Sequence, residues 1–155
     1  MRAPRLPLLL CVAALLPATG CSKPRELYVD HAWVRLPAVA GQPAAAYFTV
    51  HGGAAPATLI DVSSDVAIRS EMHETMTGTG SGAAGMTSMK PMPSVAIPAR
   101  STDRFAPAGR HVMLFGLDPS VKRGGAIALT FTFGNGERIQ QTAPVLNAGD
   151  PPPKG

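Results

Sequence analysis

Proline recurs at positions 37, 43, 56, 91, 93, 98, 107, 119 and 144 of the 155-residue chain. A helix laid across any of these points would lose a backbone donor and meet the steric block of the ring. No sustained 3.6-residue apolar repeat occupies the intervals between them, so a helix bundle is excluded. The intervals hold two-residue alternation instead. From Leu27 to Arg35, the residues Leu27, Val29, His31 and Trp33 fall on one side and Tyr28, Asp30, Ala32 and Val34 on the other. The same pattern predicts strands over Ala45 to His51, Thr58 to Ser63, Ala67 to Thr75, Ser94 to Ile97, His111 to Leu117, Ala126 to Phe133 and Arg138 to Val145. The last two are joined through Gly134-Asn135-Gly136, where Asn-Gly supplies the positive φ angles of a tight hairpin. These short strands predict an all-β, antiparallel sandwich in one domain over residues 27–147. Thr77 to Gly85 reads as a flexible loop, and residues 148–155, with three consecutive prolines, as a disordered tail. Trp33 is the natural core anchor.

Residues 1–20 read as an address. Arg2 and Arg5 precede an apolar run from Leu6 to Leu16, too short to span a membrane, and Ala18, Thr19 and Gly20 lead into Cys21. The ending resembles a bacterial lipobox, so Cys21 is the expected lipidation site and residues 21–26 a short tether to a membrane. Cys11 lies in the leader, which leaves the folded body without a thiol. That excludes a disulfide, a Cys-ligated zinc site, an iron–sulfur cluster, a thiol nucleophile and a blue-copper centre. The net charge of +4 falls to +2 once Arg2 and Arg5 leave with the leader. With basic residues scattered singly and only 5 % aromatics, no nucleic-acid partner is expected.

Six methionines remain after the leader, at 72, 76, 86, 89, 92 and 113, with four histidines at 31, 51, 73 and 111. Methionine can fill core gaps, and Met72 is as well explained by packing as by ligation. Met86, Met89 and Met92 sit in a Gly/Pro-rich, loop-like stretch that offers no obvious core. His111 and Met113 are two apart on a predicted strand, so both emerge from one face. Imidazole and thioether suit soft Cu(I), whereas Ca²⁺ and Mg²⁺ want oxygen and structural zinc prefers thiolate or several imidazoles. A thioether also escapes capture into a disulfide in an oxidising compartment.

His73, then Met89, then 21 residues to His111, one residue, and Met113 resembles the signature of the periplasmic copper chaperone PCu(A)C family. Glu71-Met72-His73-Glu74, Met89-Lys90-Pro91, Gly109 to Leu114, Gly116-Leu117, Ala32 to Arg35 and Ala46-Tyr47-Phe48 are similar to the family's flanking sequence, over roughly Leu27 to Val145. The resemblance implies a cupredoxin-like antiparallel Greek-key β-sandwich holding Cu(I) with His73, Met89, His111 and Met113 near the surface at one end. It implies a monomeric carrier in the periplasm or cell envelope, not an enzyme, that supplies copper to an oxidase copper subunit or a Sco-type assembly factor. Fifteen residues separate His73 from Met89, more than the family's spacing, which makes Thr77 to Gly85 an insertion and Met86 a competitor for the ligand position. Met72, Met76 and Met92 are auxiliary candidates, and a Cu(II) state using His51 or the chain termini stays open.

Other motifs carry less. Gly80-Ser81-Gly82-Ala83-Ala84-Gly85 formally matches G-x-G-x-x-G but is followed by prolines and sits in no βαβ unit. His73-Glu74 opens like a zincin motif, yet position 77 is Thr. His31 and His51 read as hydrogen-bonded or surface histidines, and Glu71 and Glu74 either tune His73 or simply meet solvent. The competing functions are a copper storage or sequestration lipoprotein and a structural envelope domain without metal.

Overall fold

A computed structural model describes residues 25–77 and 87–153. The leader, Cys21, the stretch 78–86 with Met86, and the last two residues lie outside the described residues. Ten strands follow in order: β1 Tyr28–Arg35, β2 Ala44–His51, β3 Ala57–Ser63, β4 Arg69–Thr77, β5 Thr87–Met92, β6 Val95–Ile97, β7 Thr102–Phe105, β8 Arg110–Phe115, β9 Ala126–Phe133 and β10 Arg138–Leu146. Among the described residues there is no helix.

The strands form two packed sheets of a cupredoxin-like sandwich. One has the order β5-β4-β8-β2-β1, with β7 pairing the far half of β2; the other has the order β10-β9-β3-β6. They are joined where β1 and β10 run side by side at Val34↔Val145 and Arg35↔Leu146. That junction is parallel, a departure from the wholly antiparallel expectation, because β1 and β10 meet as chain-distant strands with no hairpin to reverse them.

Alternation works as expected on both inner faces. Val29, Val34, Phe48, Val50, Val112 and Leu114 come from the first sheet and Leu59, Val62, Leu129, Phe131 and Phe133 from the second, all essentially removed from water. Each such side chain contributes roughly 1.5–3 kcal/mol on burial. Phe48 links the layers, its ring 4.2 Å from Phe105 and 4.6 Å from Phe131, centroid to centroid.

Four features depart from the reading of the sequence. First, residues 87–92 form strand β5 rather than a loop. It is the outermost strand of its sheet, where the donor missing at Pro91 can face the open side. β7 was hidden for a similar reason, being only four residues long behind a positive φ at Arg100. Second, Trp33 is buried but outside the main core. It stacks on Tyr47 at 4.4 Å on the outer face of the first sheet, with the Arg35 guanidinium 4.8 Å above its ring. A register shift between Asp30 and Trp33, with His31 at φ 50°, turns the alternation of β1 over at that point. Third, the β9–β10 hairpin takes positive φ only at Gly136. Gly136 N donates to Phe133 O and Phe133 N to Glu137 O, a type I turn closed by a glycine bulge, while the Asn135 side chain accepts from Glu137 N. Fourth, the first part of the expected tail is anchored. Arg123 donates two hydrogen bonds to the Asp150 carboxylate, at 2.8 and 3.1 Å, and Arg35 donates to the Asp150 carbonyl.

Candidate metal centre

Three neighbouring strands build the site. β4 and β8 pair antiparallel with His73 directly opposite His111 and Glu71 opposite Met113. β5 pairs the other side of β4 with Met89 opposite Thr75. Because His73 and Thr75 are two apart, as are His111 and Met113, all four predicted ligands project from one face, the outer face of the first sheet. The two histidines form the centre. Met113 and Met89 stand diagonal to His73 on its two sides, opposite Glu71 and Thr75, roughly 7–8 Å away along the backbone.

The rings of His73 and His111 are 6.0 Å apart, centroid to centroid. Two imidazoles sharing one ion at about 2 Å per nitrogen have centroids separated by roughly 5–6.5 Å, so this pair is spaced for a common ligand. His111 is only 6 % exposed, and its Nδ1–H donates to the Gly109 carbonyl at 3.0 Å, which leaves Nε2 with its lone pair. His73 is arranged the other way round: Nε2–H donates to Glu71 Oε2 at 3.1 Å, while Nδ1 is buried without any partner. A buried polar atom left unsatisfied costs about 1–3 kcal/mol. Glu71 also accepts from Arg69 through its second oxygen, and Arg69 lies 3.9 Å over the Phe115 ring. The hydrogen bond from His73, with Arg69 beside it, holds the Glu71 carboxyl below the usual carboxylate range. Among the described residues no group of three His, Cys, Asp or Glu side chains could hold a metal ion.

The auxiliary candidates separate cleanly. Met72 is 6 % exposed and packed in the core, on the opposite face from His73, because neighbours on a strand alternate. It is removed from the site. Met92, directly across from Met72, packs against the same core. Met76 also projects from the opposite face, half exposed, while Met89 is 54 % exposed on the edge strand. Met86 lies outside the described residues.

The remaining histidines sit at the other end of the same outer face. His31 Nδ1 and His51 Nε2 both lie against one oxygen of Asp30, at 2.8 and 3.0 Å, and the His51 ring stacks on Tyr28 at 4.2 Å. Glu74 pairs with Arg110 rather than with His73. Glu71, left undecided between His73 and solvent in the sequence, is hydrogen-bonded to His73, and its i, i+2 relation on a strand was the available signal.

This fold is that of the PCuAC domains. The copper-bound PCuAC domain from PmoF2 superposes with a TM-score of 0.61 at 22 % identity, over 79 % of this chain and 98 % of that one. The Cu(I)-bound solution structure of DR1885 from Deinococcus radiodurans gives 0.58 at 27 % identity, over 86 % and 85 %. A family profile described as "Putative lipoprotein LpqE-like" matches residues 27–145. The "Putative lipoprotein Lxx21020" of Leifsonia xyli subsp. xyli is 31 % identical over 136 residues, covering 86 % of this chain and 79 % of that protein. The chain belongs to the LpqE-like family. The solved structures it resembles are named for bound copper, and its sequence relative as a lipoprotein.

Proposed function

We propose that this domain is an extracytoplasmic copper chaperone that carries one Cu(I) between His73, Met89, His111 and Met113 and passes it to a copper-dependent acceptor. The observation that carries the reading is the buried, unpartnered Nδ1 of His73, on the face it shares with the other three side chains. An imidazole pair completed by two thioethers is a soft donor set, suited to Cu(I) and poorly suited to oxygen-seeking cations. The copper bound by the PmoF2 domain and by DR1885 supports the same ion here. Hand-over follows from where the ligands sit. Met89 is exposed on an edge strand, so an acceptor's donor can replace it first while the better buried histidines still hold the ion. Lipidation at Cys21 would keep the carrier at a membrane of the cell envelope, beside membrane-bound acceptors such as an oxidase copper subunit or a Sco-type assembly factor.

The test is competition for Cu(I) against bicinchoninate, with stoichiometry from native mass spectrometry. One tightly held ion per chain is expected. No tight binding would leave a structural envelope domain, and several equivalent ions would indicate storage.

A further inference from the structure

We infer that the two histidines present opposite ring nitrogens to the metal, Nδ1 from His73 and Nε2 from His111, and that Glu71 is the positioning residue that enforces this on His73. The inference rests on the copper reading above and adds to it which atoms bind and what fixes them.

Arg69, Glu71 and His73 are alternate residues of β4 and share its outer face. Arg69 donates to Glu71 Oε1, and His73 donates from Nε2 to Glu71 Oε2. A carboxylate only accepts, so the proton of neutral His73 resides on Nε2 and the lone pair on Nδ1, the atom buried with no partner. For His111 on β8 the acceptor is a backbone carbonyl just ahead of the strand. Gly109 O takes the His111 Nδ1 proton at 3.0 Å and the Thr75 amide proton at 3.1 Å, so His111 keeps its lone pair on Nε2. An outer partner of this kind fixes both tautomer and ring orientation.

Two consequences follow from the ring's shape. Nδ1 lies next to the carbon that joins the ring to the chain, whereas Nε2 lies on the far side. An ion held by this mixed pair therefore sits close to the β4 backbone and far from that of β8, displaced toward the strand that carries Met89. Glu71 stands directly opposite Met113, yet both its oxygens are engaged. Each oxygen is thus oriented by a partner on its own strand, toward Arg69 on one side and His73 on the other.

The experiment uses Ag(I), a redox-inert soft cation, bound to the protein labelled with ¹⁵N-histidine, and reads the silver–nitrogen couplings by NMR. The wild type should couple at Nδ1 of His73 and Nε2 of His111. In Glu71→Ala the His73 coupling should shift wholly or partly to Nε2, and affinity should fall about tenfold, while the His111 coupling stays as an internal control. Glu71→Gln keeps a side-chain oxygen acceptor and should retain the Nδ1 coupling, which separates positioning from charge and from general damage to the fold. A wild-type His73 that couples through Nε2, or an Nδ1 coupling undiminished in Glu71→Ala, overturns the role of Glu71 while leaving the copper reading intact. Absence of coupling at both histidines overturns both.

Discussion

The outer face of the first sheet carries two histidine pairs, and they differ in what lies between them. His31 and His51 close on a shared Asp30 oxygen, with a hydrogen-bonding distance to each ring. The rings of His73 and His111 lie 6.0 Å apart, and each is hydrogen-bonded to an acceptor two residues before it, Glu71 or Gly109. The first pair is satisfied by the protein. In the second, Nδ1 of His73 is buried without a hydrogen-bond partner. The identity of a histidine thus says little about ligation, and the partner of each ring nitrogen says most.

That contrast can be broken most decisively at its centre. His73→Ala and His111→Ala should each weaken Cu(I) binding by about 100-fold, at or beyond the loss seen when even an outer partner is removed. Bicinchoninate competition reads this directly, and affinities equal to wild type would erase the distinction between the pairs. Removing thioethers should cost less: about tenfold for Met113→Ala and for Met89→Ala, with Met86→Ala within threefold, by the same competition and by the sulfur count in X-ray absorption. A larger loss for Met86 than for Met89 would move the ligand into the stretch that precedes β5.

At the satisfied pair the expected effects concern stability and are small. Burial raises the Asp30 pKa, but the hydrogen bonds from His51 and His31 outweigh it and hold the carboxyl below its ordinary value. A carboxyl depressed in the folded state contributes stability above its unfolded pKa and loses that contribution as pH falls through the folded pKa. Asp30→Asn should therefore lower stability at neutral pH by about 1 kcal/mol or less, since the group is partly exposed, and the difference should vanish in strong acid. Urea unfolding at two pH values checks the sign. Smallest of all, His31→Ala and His51→Ala should leave Cu(I) affinity within twofold of wild type.

Much of this was legible in the sequence, and the limits have identifiable causes. The spacing of His111 and Met113 on a strand fixed their shared face, and the alternation of β9 and β10 is what the structure shows. By the same rule Met72, next to His73, had to point away, so its place in the core was readable from adjacency alone. β5 was not, because Pro91 and Pro93 are breakers anywhere except at an edge, and edge position is a property of the assembled sheet. The outward stacking of Trp33 depended on a register shift at His31 that no local pattern announces. The pairing of β1 with β10 is likewise set by packing rather than by either segment. Nor could spacing choose between ring nitrogens, since that choice depends on acceptors brought up by folding.

Pro91 on the outermost strand carries a further consequence. An open sheet margin is a template on which a second molecule can grow its own strand, the first step toward fibrils. At this margin one backbone donor is missing at Pro91 and a cationic side chain follows from Lys90. Such a rim is poorly suited to zippering with a neighbour. A second strand laid against this border would meet a positive charge where it needs a matching partner.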